Sequence, residues 1–403
     1  MKKKIFVFSH AMEIGGAERA LLGLLDSIDY SKYEVDLFLL RHSGELMSLI
    51  PKKVNLLPEI PQYCAIMKPM VSAFKEGQYK IVFGRLCGKI KAKRYNAKFS
   101  LNNSAVAIEY SHKYTIRYLP KINNKHYDVA ISFLTPHYIA DQKINADKKI
   151  AWIHTDYSTI NVDVESELNM WSKYDRIASI SDDVTVTFLK KFPSLKSKIV
   201  LMENVLSKAF IDEQAEAFSV KNEMPDGSVK LLSIGRFCEA KNFDNVPEIA
   251  SVIKSKGIDF KWYIIGFGAD ERLIKSKIAE YKMEDTVIIL GKKDNPYPYI
   301  KACDVYVQPS RYEGKAVTVR EAQMLAKPVI ITNYPTAHSQ LQDGFDGLIV
   351  PLETDECVDA MVKALNDKKL LQTIAENTKK VDYTNKSELE KLYKIIGENN
   401  GTD

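Results

Sequence analysis

Two glutamates, Glu313 and Glu321, stand eight positions apart across a loop-to-helix boundary. Before them, Asp304-Val-Tyr-Val-Gln308 alternates like a strand, Pro309-Ser310 closes it, and a helical pattern begins near Ala316. Glu313 therefore falls in the loop at the strand's carboxyl end, and Glu321 lies more than a turn into the helix, at about 1.5 Å rise per residue. On that placement one carboxylate could reach a sugar hydroxyl and the other hold a ribose, with the helix N-terminus between them aimed at phosphate. The competing reading is two surface glutamates. Further upstream, Arg236 and Lys241 follow the apolar run Val229-Lys-Leu-Leu-Ser-Ile234 and Gly235. A guanidinium and an ammonium so placed can neutralise a diphosphate as it becomes a leaving group. The next helix is expected from about residue 242, with Asn242 as its cap.

Other positions need chemistry-bearing groups at strand ends. Gly15-Gly16 follows a first strand and precedes the amphipathic run Ala20-Leu-Leu-Gly-Leu-Leu25, so loop amides and a helix N-terminus can approach an anion; the same pattern also suits a plain tight turn. Gly266-Phe-Gly268 after the Trp262 strand carries the same ambiguity. His154 leaves the apolar strand Lys149-Ile-Ala-Trp-Ile for Thr155-Asp156-Tyr157-Ser158, as a site residue or as a hydrogen-bonded core histidine.

The elements that must position these residues alternate strand and helix twice over, which implies parallel sheets built from crossover units. In the first half, strands are read near 3–8, 34–40, 127–133, 149–153, 176–180 and 198–202, with helices near 17–28 and 182–191. The segment from Ser207 to Asp226 loses strand character, ends in the turn signal Pro225-Asp-Gly227, and is read as the linker. The second half has strands near 229–234, 260–265, 286–290, 304–308, 328–332 and 347–350. Such sheets bind ligands beyond the carboxyl ends of their strands.

The glutamate pair resembles the E-x7-E signature of retaining glycosyltransferases of family 4, and Ile14-Gly15-Gly16-Ala17-Glu18-Arg19 and Gly235-Arg236 with Lys241 resemble that family's glycine loop and diphosphate clamp. The resemblance covers about residues 3–380 and is weakest between about 62 and 125. It implies a GT-B fold, two Rossmann-like parallel-sheet domains facing each other across a cleft. The domains implied are 1–206 on the acceptor side, with a basic insert at about 62–125, and 207–384 on the nucleotide-sugar side. A final stretch, 385–403, has a helix at Asn385–Glu398 crossing back to the first domain, and Asn204 resembles the family's hinge asparagine. The resemblance also implies roles. Glu321 holds the ribose; Gly15, Gly16, Arg236 and Lys241 face the diphosphate; Glu313 and His154 hold the sugar. Gly266, Lys293, Gly314, Lys315, Ala316 and Val317 complete the nucleotide pocket. Where many relatives have a second glycine near Ala316 and an aromatic near Lys315, this chain departs, and so the sugar is left open. Expected are a nucleotide-sugar donor, specifically a UDP-sugar, a glycan or lipid-linked acceptor, and no metal or other cofactor, since no D-x-D occurs in the chain. A nucleotide-sugar epimerase of the same fold, a transferase acting on a soluble or protein acceptor and a non-catalytic partner subunit are the alternatives.

Composition sets the remaining bounds. With 403 residues, 45% hydrophobic and 27% charged, the chain is an ordinary globular protein too long for one typical core. Its five cysteines are odd in number and without C-x-x-C pairing, as expected of reduced thiols in a cytoplasmic protein. The apolar run after Met1-Lys-Lys-Lys stops at Ser9-His10, too short for a signal peptide. No H-E-x-x-H, P-loop or G-x-S-x-G occurs. A dehydrogenase would need an acid ending strand two, which instead ends at Leu39-Leu40-Arg41. Residues 65–125 hold 13 Lys or Arg against Glu76 and Glu109, a net +11 in a chain whose total is +5. Apolar residues (Phe74, Tyr79, Ile81, Val82, Phe83, Leu86, Ile90) interleave with those cations. That pattern suits an interfacial helix on an anionic leaflet and a peripheral place on the membrane's inner face; a solvated basic helix is the alternative, and nucleic acid is not expected.

Overall fold

The computed structural model describes residues 2–13, 15–101 and 105–397. Ile14 of the glycine-loop motif and Glu398 at the end of the expected last helix lie outside the described residues. The chain divides into two compact units: one runs up to Leu206 and takes in the chain from Asn385 on, and the other is Ser207–Thr384. Both are α/β units with all-parallel sheets, as the alternating pattern requires.

In the first unit the strands are β1 (Lys3–Ser9), β2 (Tyr33–Leu39), β3 (Asn55–Leu56), β4 (His126–Ser132), β5 (Asn145–Ile153), β6 (Arg176–Ser179) and β7 (Ile199–Leu201), in the spatial order β3-β2-β1-β4-β5-β6-β7. The order reverses between β1 and β4, and a crevice at such a switch point is where open α/β sheets take ligands. Ile5, Phe6, Val7 and Phe8 are all buried because a parallel sheet is covered on both faces. Helix Gly16–Ser27 follows β1 with Gly15 at its N-cap. A final helix, Glu388–Gly397, packs on this same unit. Tyr393 stacks on Tyr33 at 4.7 Å and accepts a hydrogen bond from the Asp29 amide, and Lys391 donates to the Leu201 carbonyl. Asn385, in the left-handed region that asparagine tolerates, donates to the Asn204 carbonyl.

Residues 61–115 form helices: Pro61–Met67, Met70–Lys75, Tyr79–Phe99 and Val106–Thr115. The 21-residue helix Tyr79–Phe99 buries only Ile81, Gly84, Gly88 and Ala92. A Cβ at Gly88 would lie 2.5 Å from the Tyr110 carbonyl oxygen, so the small residues form the seam against helix Val106–Thr115. Among the described residues no helix is long and apolar enough to cross a membrane.

In the second unit the strands are β8 (Val229–Ile234), β9 (Phe260–Ile265), β10 (Val287–Gly291), β11 (Val305–Gln308), β12 (Val329–Thr332) and β13 (Leu348–Val350), in the order β10-β9-β8-β11-β12-β13. Its switch point lies between β8 and β11. The expected linker is not featureless. It holds helix Lys208–Ala215, capped by the Ser207 hydroxyl, which buries Ile211 and Ala215 and sets Phe210 edge-on to Tyr297. Those inward apolar residues hold the segment in the second unit.

Candidate functional site

Neighbouring strands β8 and β11 deliver the basic and the acidic groups to one place. Beyond β8 the chain runs through Gly235 and Arg236 into a short 3-10 turn, Glu239–Lys241. An ideal Cβ at Gly235 would stand 3.3–3.4 Å from the Lys241 stem, so glycine lets that stem lie flat across the backbone. The Lys241 ammonium then pairs with Glu313. Beyond β11, Glu313 is 8% exposed. Its Oε1 accepts from Lys241, from Gln308 Nε2 at 3.0 Å and from Ser310 Oγ at 2.6 Å, while Oε2 takes none of these donors. A buried carboxylate persists when it is paired and hydrogen-bonded, and Glu313 is both.

The two loops are clamped to each other by groups that touch neither glutamate. Arg311 makes a bidentate pair with Asp244, both contacts 2.9 Å, and donates to the Glu239 carbonyl at 2.8 Å. Asn242 does not cap the following helix, which is Val246–Ser255 with Asn245 at its N-cap. Asn242 instead ends the 3-10 turn at φ 58° and donates its side-chain amide to the Pro309 carbonyl at 2.9 Å. Its left-handed backbone turns the chain and its amide bolts the turn to the facing loop. Close backbone packing extends to β9, because a Cβ at Gly266 would lie 1.9 Å from the Gly235 carbonyl oxygen and one at Gly268 2.3 Å from that of Phe237.

Glu321 sits in helix Val317–Met324, fully buried, and its Oε1 accepts from the Tyr297 hydroxyl at 2.8 Å. Gly314 is open: a methyl group placed there would meet nothing within 4 Å. The Ala316 amide donates to Gln340 Oε1 at 2.8 Å, and Gln340 returns a bond to the Ala316 carbonyl. That amide is therefore occupied in this structure, and Val317 opens the helix that carries Glu321. Lys315 lies half-buried beside it. Arg236 is exposed. Lys293 is not drawn to the Lys241–Glu313 pair: its ammonium pairs with Glu223 and lies 5.3 Å from the Tyr299 ring, and Tyr299 also donates to Glu223 at 2.6 Å.

Sequence reasoning missed Gln308, Ser310, Arg311, Thr336 and Gln340, which hold the site residues in place. A signal existed for the first: a glutamine ending an otherwise apolar, fully buried strand must find partners, and Gln308 finds Tyr306, Ser310 and Glu313. Arg311, Thr336 and Gln340 had none, since their partners lie 20 or more positions away.

The first unit holds His154, Gly15 and Gly16. Gly15 is the extended N-cap of helix Gly16–Ser27, and a Cβ there would collide with the Glu18 carboxylate. His154 follows β5, its ring 4.5 Å from Phe133. Nε2 has no partner and the ring bonds the Phe133 backbone, which puts the proton on Nδ1 and leaves Nε2 an acceptor. Burial pushes its pKa down to about 4, against that backbone bond, so the ring is neutral at pH 7.

Residues 214–381 match the model of the family Glycosyl transferases group 1. The chain is similar to the alpha-D-kanosaminyltransferase of Streptomyces kanamyceticus, 27% identical over 150 residues that are 36% of this chain and 39% of that protein. It is also similar to the N-acetylgalactosamine-N,N'-diacetylbacillosaminyl-diphospho-undecaprenol 4-alpha-N-acetylgalactosaminyltransferase of Campylobacter jejuni, 24% identical over 214 residues, 52% of this chain and 56% of that one. The matches thus span about two-fifths to three-fifths of these relatives' lengths. Among solved structures, TarM of S. aureus, crystallised with UDP, overlays with a TM-score of 0.67 at 14% identity, covering 98% of this chain and 100% of that one. Anabaena HepE in complex with UDP and glucose overlays at 0.67 and 13% identity, covering 98% and 99%. These likenesses establish the GT-B fold.

Proposed function

We propose that this protein is a retaining, metal-independent glycosyltransferase that moves a sugar from a UDP-sugar to a glycan or lipid-linked acceptor in the synthesis of a surface polysaccharide or glycoconjugate. The observation that carries the reading is the Lys241–Glu313 pair at the β8/β11 switch point, with Arg236 exposed in the loop that leads from β8 to Lys241. The switch point is where a nucleotide is expected, and the two cations beyond β8 offset the charge that grows on a departing diphosphate. Glu321 is assigned to the ribose, Glu313 through Oε2 to a sugar hydroxyl, and the Gly314–Val317 backbone to phosphate, the Ala316 amide only if its bond to Gln340 opens. Gly15, Gly16 and His154 of the first unit are assigned to phosphate and sugar. Lys293 is assigned to the nucleotide pocket only if its pair with Glu223 opens. Metal independence follows from this division of labour, because lysine, arginine and amides supply the positive charge. Retention needs no side-chain nucleophile. The acceptor oxygen bonds C1 on the face from which the C1–O bond to phosphate breaks, and the acceptor's proton passes to the departing phosphate oxygen.

The acceptor-side proposal rests on helix Tyr79–Phe99. Tyr79, Phe83, Leu86 and Ile90 are exposed and spaced four, three and four apart, one stripe opposite the buried glycine seam. Lys80, Lys89 and Lys93 flank it, all exposed. We assign this face to an anionic membrane surface and the protein to the periphery of the cytoplasmic leaflet. The Campylobacter relative, whose name includes a diphospho-undecaprenol acceptor, is consistent with a lipid-linked substrate.

Thermal shift with UDP, GDP, ADP and a panel of UDP-sugars in EDTA tests the donor. Saturation at 100 times Kd stabilises by about 2.7 kcal/mol, or roughly 5–10 °C for a unit of this size. No shift with any nucleotide, or strict dependence on added manganese, would overturn the proposal. Conversion of UDP-sugar to an epimer or free sugar without any acceptor would favour the epimerase.

A further inference from the structure

A second site lies in the first unit, at the carboxyl ends of β4 and β5. A cavity of about 280 Å³ opens there, lined by Trp152, Trp171, Tyr138, Tyr157, Glu109 and Glu167, and bordered by His154, the residue already assigned to the sugar. That is just under the range of about 300–1,000 Å³ usual for small-molecule pockets, the scale of one sugar ring and not of a chain.

Three buried polar atoms lining it have no partner: Glu109 Oε2, Trp152 Nε1 and His154 Nε2. Glu109 is 7% and Trp152 3% exposed. Orphaned polar atoms this deep are rare in folded proteins, and each costs free energy unless something answers it. They are also held in place. The other oxygen of Glu109 accepts from Ser166 at 2.8 Å and from Tyr138, and Glu167 accepts from Tyr157 at 2.8 Å and from Trp171 Nε1 at 3.3 Å. The set therefore presents one N–H donor, one neutral imidazole acceptor and one carboxyl oxygen among aromatic faces.

We infer that this cavity binds a single neutral pyranoside, read as the terminal sugar of the acceptor. A ligand that satisfies all three orphan atoms must both accept and donate, which sugar hydroxyls do and an ammonium, a donor only, does not. The aromatic walls suit the apolar faces of a pyranose, as amphipathic rings generally do in ligand pockets. Two carboxyl groups exclude an anionic sugar. Burial raises the Glu109 pKa and brings Glu167 to about 7, so Glu167 carries only part of its charge near neutrality, which suits a neutral guest. The inference rests on the glycosyltransferase reading only in naming the guest as acceptor; the pocket's chemistry stands without it.

The test is saturation-transfer NMR on the intact protein with methyl glycosides of glucose, galactose, N-acetylglucosamine and N-acetylgalactosamine, and UDP affinity measured on the same samples. At least one glycoside should bind saturably. Glu109→Gln, which keeps the shape and the Tyr138 and Ser166 contacts, and Trp152→Phe, which removes only the N–H side of the ring, should each weaken it roughly tenfold, with UDP affinity unchanged. Binding of no glycoside, or wild-type affinity in both variants, would overturn the inference. UDP binding with no glycoside binding removes this site alone; absence of UDP binding removes the donor assignment, which the glycoside arm does not touch.

Discussion

Replacing Lys241 separates two jobs that one ammonium performs. In the folded chain it neutralises the buried Glu313, and in the proposed reaction it stabilises the leaving diphosphate. Lys241→Met leaves Glu313 with two neutral donors, Gln308 and Ser310, and no countercharge. Removing one partner of a buried pair costs about 3–5 kcal/mol. Lys241 keeps 21% of its side chain exposed and two hydrogen bonds to the carboxylate survive, so about 2 kcal/mol is the expected loss. At 2–4 °C per kcal/mol this is a fall of about 4–8 °C in Tm. Turnover should fall by roughly 10²-fold or more, the usual effect of losing one charge-stabilising donor. The decisive variant is Lys241→Met with Glu313→Gln. The amide oxygen still accepts from Ser310 and no charge remains unpaired, so calorimetry should show most of the lost Tm recovered. Release of UDP under saturating donor should stay at about 1% of wild type or below. Recovery of both stability and turnover in the double variant would show that Lys241 serves only to balance Glu313, and both the leaving-group assignment and that of the Glu313 carboxylate to the sugar would fall.

Three further outcomes follow from the same geometry. Glu321→Gln keeps an oxygen for the Tyr297 hydroxyl, so Tm should hold while UDP affinity drops; equal UDP affinity in calorimetric titration would remove the ribose assignment. Burial depresses His10 and His154 to about 4 and His112 and His137 to about 3, against 6.5 for an unfolded histidine. Because the folded values are the lower ones, their stabilising contribution is complete above pH 6.5 and is lost as pH falls toward 4. The denaturant midpoint followed through Trp152 and Trp171 should therefore fall between pH 7 and 5, and a flat profile would contradict it. Replacing Lys89, Lys91, Lys93 and Arg94 together with glutamine should abolish co-sedimentation with anionic vesicles and leave UDP affinity intact. Wild-type binding should itself weaken steeply with salt, since exposed charges are screened beyond about 8 Å at physiological ionic strength; equal binding to neutral and anionic vesicles, or to neither, would remove the membrane assignment.

Most strands could be read in advance because parallel sheets covered on both faces need nearly continuous apolar runs. Val229–Ile234 and Phe260–Ile265 have the bounds their sequences suggest, whereas Asn55–Leu56 is too short to carry any pattern. A helix is expected around Tyr79–Phe99, but the face it packs with is hidden, for the opposite reason. Amphipathic helices are recognised by an apolar stripe that faces the core. Here the core side carries Gly84, Gly88 and Ala92, and Phe83, Leu86 and Ile90 point to solvent. Its charge was visible in the sequence, but its packing face was not. Asn242 failed similarly: a helix cap and a left-handed turn residue draw on the same asparagine chemistry, and only the position of Pro309 distinguishes them.

The same logic explains why one site was legible and the other was not. The chemistry of the second unit is concentrated in two short loops, 235–242 and 309–317, each following a strand, so spacing along the chain is a fair proxy for position in space. The first unit's cavity takes Glu109 from one helix, Tyr138 from a second, Trp152 from β5 and Glu167 from a third helix, joined only once β4 and β5 have paired. No window of sequence contains it. What marks it instead is an unbalanced set of hydrogen-bonding groups, a carboxyl oxygen, an indole N–H and an imidazole nitrogen buried without partners around one small volume. A fold that strands three such groups within one cavity loses stability by it, and binding a guest that answers all three is the straightforward physical compensation.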